Sequence, residues 1–292
     1  CKELEMESSM KSLSSFHDRY LKSFKLFLER STEHQCMKKF FDNDLPDIIN
    51  SIGKRGVSCL NVLGIGSGSG EMDLAILEKI HSKYPGVSIH NEVVEPNAGL
   101  ISKYKELVKE KGQGLNASFT WNQMYTTDYE KQNKERKESK KFDFIHMIQL
   151  LYFVENAHDT IKYFHSILER NGKLLIIQTA NDSGWSSLWT KFGSRFPTSI
   201  SLDVQNVLAE MKMKYQIYEH SSDFDITECF IEGNENGDCL LDFLTDSADF
   251  RKTAPEDLKS EVLQHLHQPA CSREENKKIL FRNNLKFIVI DY

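Results

Sequence analysis

The spacing of hydrophobic residues along this chain changes near residue 57. Before that point, apolar side chains between residues 16 and 30 recur at helical spacing, as on one face of an amphipathic helix. Thr32 and Gln35 fit a capping box, which predicts a second helix from about Thr32 to Asn50. Beyond residue 57, short apolar runs alternate with helical segments, a pattern typical of β-α-β units around a parallel sheet.

The alternation predicts strands and helices in turn. The predicted strands are 59–65, 88–95, 117–121, 142–148 and 174–179, and the predicted helices are 71–84, 98–111 and 158–169. Near the end, 278–281 and 286–290 flank Arg282-Asn283-Asn284-Leu285, which predicts an antiparallel hairpin. The segment 130–141 is dense in charge and has no apolar residue, so we expect a solvated helix or loop.

A glycine-rich turn, Gly66-Ser67-Gly68-Ser69-Gly70, joins the first predicted strand to a helix. Such a turn places backbone N–H groups and a helix N-terminus beside a ligand, and glycine permits close approach. Glu95 ends the next strand, where a carboxylate can accept both ribose hydroxyls of an adenosine. The Gly-x-Gly-x-Gly spacing differs from the Gly-x-Gly-x-x-Gly of dinucleotide binders. The loop and the acid predict a nucleoside site; the alternative is a tight structural turn with a surface acid.

Composition narrows the class of protein. The chain has 292 residues, 39% hydrophobic and 27% charged, which suits one large α/β domain with an accessory region or two modest domains. A formal net charge of −6 argues against a nucleic-acid surface, since phosphate binding needs clustered Lys and Arg. No apolar run approaches the ~20 residues of a membrane span, and the polar N-terminal segment lacks the apolar core of a signal peptide.

The six cysteines lack CxxC spacing, which disfavours a zinc site and a disulfide framework. We therefore expect free thiols, a cytoplasmic location and no bound metal. A monomer is expected as well, because the sequence has no long heptad run. Met6 is a candidate native start, with residues 1–5 as a leader or the end of a fragment.

Several separate stretches resemble the histamine N-methyltransferase family. Besides the glycine loop, they are Ser31–Met37 (STEHQCM), Asn91–Pro96 (NEVVEP), Asp143–Gln149 (DFIHMIQ), Ser183–Trp185 with Trp189, Gly193–Pro197 (GSRFP), Cys229–Ile231 with Gly233–Asp238, and Phe287–Ile290. The resemblance implies an α/β, Rossmann-like S-adenosylmethionine-dependent methyltransferase with a mostly parallel seven-stranded sheet and a small substrate-binding region. It divides the chain into N-terminal helices at the substrate site (1–56), a cofactor-binding core (57–180), and substrate-binding segments with the C-terminal strands (181–292).

The resemblance also implies an activity and a set of contacts. The methyl group would pass from S-adenosylmethionine to a ring nitrogen of a small imidazole amine, with histamine as the leading candidate and no covalent enzyme intermediate. The implied cofactor contacts are Gly66, Glu95, Thr126 and Ile148, with His34 nearby and Gly68 and Gly70 completing the loop. The implied substrate contacts are Glu33, Gln149 and Asn283, lined by Tyr20, Phe24, Tyr152, Trp185, Trp189 and Phe243.

Each of these residues also has a structural interpretation. Glu33 in a first helical turn favours the helix dipole, and Gln149 can satisfy backbone groups at a strand end. Asn283 followed by Asn284 fits a plain hairpin turn. Trp185 and Trp189, four residues apart, are typical of core packing, and His34 and His146 are expected to have no catalytic role.

Departures from the family pattern concern the substrate. Leu100 stands where the family has a glutamine toward the cofactor, Phe153 replaces a tyrosine that faces the substrate, and Thr179 replaces an apolar wall residue. The segment 198–202 is shorter than the family's loop that closes over the amine. These differences keep open a related imidazole such as carnosine. Two other classes also stay open: a noncatalytic methyltransferase-like binding module and a nicotinamide-dependent oxidoreductase, which the loop spacing disfavours.

Overall fold

The computed structural model describes residues 10–53, 56–137, 139–200 and 204–292. The candidate start at Met6 and part of the segment 198–202 lie outside these residues. The α-helices are α1 (His17–Arg30), α2 (Glu33–Asn43), α3 (Leu45–Ile48), α4 (Glu71–Lys83), α5 (Ala98–Lys111), α6 (Thr126–Glu135), α7 (Ala157–Ser166), α8 (Gly184–Phe192), α9 (Val204–Glu210), α10 (Glu235–Thr245), α11 (Phe250–Thr253) and α12 (Glu256–Leu266). The strands are β1 (Cys59–Ile65), β2 (Ser88–Val94), β3 (Ala117–Asn122), β4 (Phe142–Ile148), β5 (Leu168–Thr179), β6 (Tyr215–His220), β7 (Asp223–Asp225), β8 (Ser272–Glu275), β9 (Lys278–Arg282) and β10 (Leu285–Asp291).

The chain divides into two compact units. The sheet unit consists of the described parts of 37–178, 203–219 and 286–292, and the aromatic unit of the described parts of 1–36, 179–202 and 220–285. The predicted core segment 57–180 falls almost wholly in the sheet unit, whereas the predicted N-terminal and C-terminal segments both contribute to the aromatic unit.

The sheet unit contains a seven-stranded sheet in the order β3-β2-β1-β4-β5-β10-β6. β1 pairs in parallel with β2 and β4, β2 with β3, and β4 with β5. The register aligns Ile65 with Val94 and with Met147, so β1, β2 and β4 end at the same edge. The glycine loop, Glu95 and Gln149 follow these ends. In a parallel α/β sheet, ligands bind at this carboxyl edge.

The central strands are buried on both faces, which explains their continuous apolar runs. In β4 every residue before Ile148 is buried, and β10 is buried from Leu285 to Ile290. The one acid in β4, Asp143, accepts the backbone N–H of Asn61 at 2.8 Å, which compensates for its removal from water. The sheet therefore provides a rigid base for the loops at its edge.

The aromatic unit contains a three-stranded antiparallel sheet in the order β7-β9-β8. Helix α1 packs on α10, and Arg19 of α1 donates to the fully buried carboxylate of Asp242 in α10. The backbone N–H groups of Asp249 and Phe250 also donate to Asp242, each at 2.8 Å. A buried acid that accepts this many hydrogen bonds fixes α1 relative to α10.

The predicted hairpin near the C-terminus is wrong. β9 and β10 belong to different sheets, and the hairpin formed by β9 pairs it with β8 instead. The turn of that hairpin is Asn276-Lys277, whose φ angles of +51° and +64° match the left-handed geometry of a tight hairpin. The prediction failed because an Asn-Lys turn lacks the glycine that usually marks this geometry, whereas Asn283-Asn284 has the composition of a turn.

The predicted single helix from Thr32 to about Asn50 is also wrong in extent. It consists of α2, α3 and a 3₁₀ turn at Ile49–Ser51. Pro46 lies in the first turn of α3, where its missing N–H leaves no hydrogen bond unmade, and there a new helix begins. The hydroxyl of Thr32 accepts the backbone N–H of Asp223 at 2.9 Å. The charged segment 130–141 contributes the end of α6.

Within the described residues, no helix has the length and apolar character needed to cross a membrane. The same residues contain no group of three or more His, Cys, Asp or Glu side chains placed to hold a metal ion.

Candidate functional site

The glycine loop adopts a conformation that only glycine takes without strain. The φ angles of Gly66, Gly68 and Gly70 are +67°, +57° and +86°, all in the left-handed region. The backbone N–H of Gly66 donates to the carbonyl of Val94 at 2.8 Å, which attaches the loop to the end of β2. A side chain at Gly66 would contact Leu150 at 2.9 Å, and one at Gly68 would contact nothing within 4 Å. The loop is therefore packed at Gly66 and open at Gly68.

Glu95 is the acid that faces this loop. Its Oε2 accepts the backbone N–H of Gly68 at 3.0 Å, and its Oε1 accepts that of Asn97 at 2.9 Å. The side chain is 6% exposed, and this burial raises the pKa of Glu95 while the two N–H bonds oppose the rise. Each carboxylate oxygen keeps a lone pair for a further donor. A fixed carboxylate beside the open face of Gly68 fits the ribose hydroxyls of a nucleoside.

Gln149 stands out at the end of β4. Its φ of +53° is unusual for a residue that is not glycine, and its backbone N–H donates to the carbonyl of Ile177 at 2.8 Å. Such conformations persist where the surrounding structure enforces them, often at functional sites. Ile148 ends β4 directly before it, and Thr126 begins α6. Tyr152, three residues after Gln149, is half-buried.

The aromatic unit contains a buried carboxylate at Glu33. Its side chain is 3% exposed, and Oε1 accepts a hydrogen bond from Nδ2 of Asn283 at 3.4 Å. Asn283 is fully buried, and its Nδ2 also donates to the hydroxyl of Ser222 at 3.0 Å. The indole Nε1 of Trp185 donates to Oδ1 of Asn283 at 2.7 Å. Because an indole N–H can only donate, it directs the amide oxygen toward Trp185 and the NH₂ toward Glu33.

Aromatic rings form a continuous set near these polar groups. Tyr20 stacks on Phe24 with 6.1 Å between ring centroids, Phe24 lies 6.0 Å from Phe243, and Phe243 lies 5.8 Å edge-on from Trp185. Because Trp185 belongs both to this set and to the hydrogen-bond chain of Glu33, the aromatic faces and the carboxylate are parts of one arrangement. Such an arrangement suits a cation, which ring faces and a carboxylate both attract.

Two further predicted residues are Trp189 and His34, and Trp189 belongs to the same hydrophobic cluster as Phe24, Trp185 and Phe243. The indole N–H of Trp189 donates to the carbonyl of Leu244 at 3.1 Å, and its ring packs edge-on against Phe196 at 4.9 Å. These contacts are those of a core residue. His34 follows Glu33 in the first turn of α2 and is half-buried. Its proximity to the cofactor stays a prediction.

Sequence reasoning missed Ser222 and Asp73. Ser222 accepts both the side chain and the backbone N–H of Asn283, the latter at its carbonyl at 2.8 Å. No local pattern marks Ser222, because its role depends on a residue 61 positions away. Asp73 lies in the first turn of α4, and its side chain is 2% exposed. A second acid after Glu71 in the first turn of α4 was the available signal.

Comparison with known proteins identifies the family. A family model described as a methyltransferase domain matches residues 37–211. The histamine N-methyltransferases of Xenopus tropicalis and Rattus norvegicus are each 48% identical to this chain over 293 residues, covering 98% of it and 99% of each relative. That of Danio rerio is 47% identical over 292 residues, covering 98% of this chain and all of the relative.

The chain belongs to the histamine N-methyltransferase family. It is an S-adenosylmethionine-dependent methyltransferase, and the predicted Rossmann-like fold with a mostly parallel seven-stranded sheet is confirmed. The fold is shared with the YcgJ protein of Bacillus subtilis, with a TM-score of 0.51 and 14% identity, covering 88% of this chain and 98% of that protein. The BH2331 protein of Bacillus halodurans gives a TM-score of 0.52 at 10% identity, and the match covers 85% of this chain and 98% of that protein.

Family membership and geometry agree at the glycine loop. The family's methyl donor is a nucleoside, and the open face of Gly68 beside the fixed carboxylate of Glu95 suits one. The tight Gly-x-Gly-x-Gly turn favours a nucleoside over a dinucleotide, and the family's cofactor is of that class. That the cofactor binds at this loop stays a prediction.

Proposed function

We propose that this chain transfers a methyl group from S-adenosylmethionine to a ring nitrogen of histamine. The observation that carries the proposal is the buried carboxylate of Glu33. The amide of Asn283 donates to this carboxylate and accepts the indole N–H of Trp185, which is itself one of the aromatic rings described above. A buried carboxylate beside aromatic faces attracts a cation, and charge-assisted hydrogen bonds are stronger than neutral ones. The ammonium of histamine is such a cation and such a donor. The curated relatives, nearly half identical over nearly the full chain, carry the name of this activity.

Glu95 and the glycine loop are the proposed donor site, with Thr126 and Ile148 as further contacts. The carboxylate oxygens of Glu95 accept the ribose hydroxyls, and the left-handed glycines keep side chains away from the nucleoside. The bound donor supplies an electrophilic methyl group on a sulfonium. The protein holds and orients this donor. In well-oriented reactions, such positioning can lower the activation free energy by about 7–11 kcal/mol.

The substrate needs little activation by the protein. An aliphatic amine has a pKa near ~10 and stays cationic at neutral pH, whereas an imidazole with a pKa near ~6.5 is largely neutral. The neutral ring nitrogen is already a nucleophile, so no strong general base is required. Glu33 binds the ammonium. Each aromatic face that the ammonium contacts contributes about 0.5–2 kcal/mol to the binding free energy.

Asn283 has a more specific role than a general substrate contact. Its oxygen bonds to Trp185, and its NH₂ bonds to Glu33 and Ser222. We therefore assign Asn283 first to orienting the carboxylate of Glu33. Gln149 remains a proposed hydrogen-bond partner of the imidazole, on the basis of its enforced backbone conformation at the end of β4.

The substrate assignment is tested with purified protein and S-adenosylmethionine labelled in its methyl group. Turnover of histamine is expected to exceed that of carnosine, which carries the imidazole on a longer dipeptide. Faster turnover of carnosine would overturn the substrate assignment. Calorimetric titration with S-adenosylmethionine and with NAD tests the other classes. No binding of the former would favour the noncatalytic module, and binding of NAD would favour an oxidoreductase.

Replacing Trp185 by phenylalanine tests the orientation of Asn283. The variant keeps an aromatic ring but removes the donor to a fully buried amide oxygen. The free energy of unfolding should fall by about 1–3 kcal/mol, the cost of an unsatisfied buried acceptor. The KM for histamine should rise by about 2- to 10-fold, because the amide can then turn its oxygen toward Glu33. Chemical denaturation and steady-state kinetics measure the two effects.

The control for that variant is Trp189→Phe, which removes the same N–H from a bond to a backbone carbonyl. It should lose stability and leave the KM for histamine unchanged. Equal KM values for the two variants would show that the bond to Asn283 does not orient Glu33.

We also propose a cytoplasmic monomer. None of the five cysteines among the described residues forms a disulfide, and those at 36, 229, 239 and 271 are buried. Burial raises the pKa of the thiols of Cys229 and Cys271, which keeps them protonated and unreactive. Cysteines outside disulfides are the rule in a reducing compartment. Light scattering during size exclusion tests the oligomeric state, and a dimer would contradict it.

A further inference from the structure

A cluster of buried polar side chains lies in the sheet unit against the glycine loop. It consists of Asp73 of α4, Tyr104 of α5 and His146 of β4, which we call the loop brace. Their side chains are 2%, 0% and 1% exposed. Neither the donor site nor the substrate site described above uses any of them. Removing a carboxyl group, a phenol and an imidazole from water costs free energy unless hydrogen bonds within the protein compensate for it.

The members of the loop brace contact one another. The hydroxyl of Tyr104 donates to Oδ2 of Asp73 at 3.3 Å, and Nδ2 of Asn91 donates to the same hydroxyl at 3.3 Å. Nδ1 of His146 lies 3.8 Å from Oδ1 of Asp73. Burial lowers the pKa of His146, so the imidazole is neutral near pH 7. The contact between His146 and Asp73 is therefore not an ion pair at that pH.

The loop brace contacts the glycine loop at two places. Gly64 in β1 has no side chain, and a Cβ there would lie 2.5 Å from both Oδ2 of Asp73 and the hydroxyl of Ser67. The carboxyl group of Asp73 and the hydroxyl of Ser67 therefore both lie next to Gly64. Burial raises the pKa of Asp73, and a hydrogen bond from Ser67 opposes that rise. At the other end of the loop, the ring of Tyr104 lies so close to Gly70 that a Cβ would approach within 2.1 Å. Asp73 and Tyr104 together support both Ser67 and Gly70.

A simpler role for Asp73 is to favour the dipole of α4, since it lies in the first turn. Glu71 already provides an acid in that turn from an exposed position, where its side chain accepts the hydroxyl of Ser69 at 2.7 Å. The dipole does not require a second, buried carboxylate. The burial of Asp73 is accounted for if its contacts hold the loop above it in a conformation that the chain alone disfavours.

We propose that Asp73 is a positioning residue for S-adenosylmethionine. Through Ser67 and Tyr104 it fixes the Gly66–Gly70 backbone, and so the N–H of Gly68 that donates to Glu95. The inference rests on the proposed donor role of this loop. Asp73 contacts the loop and not the reacting atoms, so its loss should weaken donor binding without changing recognition of the amine.

Two variants test the proposal. Asp73→Asn keeps the size of the side chain and replaces one acceptor oxygen by an NH₂ group, and Tyr104→Phe keeps the ring against Gly70 and removes the hydroxyl. Each should raise the Kd for S-adenosylmethionine, measured by calorimetry without the amine, by about 2- to 10-fold, the range for one lost hydrogen bond. Hydrogen exchange at residues 66–70 of the ligand-free protein should become faster. The KM for histamine at saturating donor should stay unchanged.

Tyr84→Phe is the matched control, because its hydroxyl donates to the carbonyl of Ile52 at 3.1 Å from the opposite end of α4. It should lower stability and leave the Kd for the donor unchanged. Wild-type Kd values and unchanged loop exchange in both brace variants would reduce Asp73 to a structural residue and overturn the proposal. If Asp73→Asn does not fold, Tyr104→Phe decides alone. Failure of the wild-type protein to bind the donor would instead contradict the proposed function.

Discussion

Replacing Glu33 by glutamine is expected to raise the KM for histamine by about 10- to 150-fold, the equivalent of about 1.5–3 kcal/mol for a hydrogen bond to a charged group. Glutamine keeps the shape of the side chain and can still accept from Asn283, but it presents no charge to the ammonium. The Kd for S-adenosylmethionine should not change. Steady-state kinetics and calorimetry of the same preparation measure the two quantities.

Two comparisons separate this effect from a helix-dipole role of Glu33. Glu29→Gln makes the same chemical change at an exposed position in α1 and should leave the KM unaltered. In binding measurements, 4-methylimidazole lacks the ammonium and should bind wild-type protein and Glu33→Gln equally well. A loss of 4-methylimidazole or donor binding as large as the loss of histamine binding would mean that Glu33 supports the fold instead.

The proposed donor site could be predicted from sequence because its signals are local. The strand Cys59–Ile65, the turn with alternating glycines and the helix from Glu71 follow one another within 25 residues, and the structure has the strand at the predicted bounds. Glu95 was predictable because parallel strands end at one edge, so an acid after β2 must lie near a loop after β1. The helix and strand periods alone specify this arrangement.

The proposed amine site in the aromatic unit could not be predicted from local pattern. Glu33, Ser222 and Asn283 lie on separate elements, and Asn283 is separated from Glu33 by 250 positions. Locally, Asn283-Asn284 favoured a hairpin turn, which the structure contradicts. Only the family resemblance indicated a functional role for Asn283. What fixes its amide is the indole of Trp185, a tertiary contact that no helical or strand period encodes.

Replacing Gly70 by alanine is expected to lower the free energy of unfolding by about 2–5 kcal/mol and to abolish measurable binding of S-adenosylmethionine. Two effects add. A left-handed backbone at φ +86° costs alanine about 1–2 kcal/mol, and the new Cβ would lie 2.1 Å from the ring of Tyr104. Tyr104 is fully buried, so its ring cannot move away without opening the core. The loop must move instead, and Gly68 with it.

Gly86→Ala separates backbone strain from the clash, since Gly86 has the same φ of +86° and nothing within 4 Å of its would-be Cβ. That variant should lose only the about 1–2 kcal/mol of strain and keep the wild-type Kd for the donor. Chemical denaturation and calorimetry of both variants give the comparison. If Gly70→Ala and Gly86→Ala are equally stable and bind the donor equally well, the contact between Tyr104 and the loop is not tight in solution. That result would also contradict the proposal that the loop brace positions the glycine loop, because the proposal requires a rigid contact at Gly70.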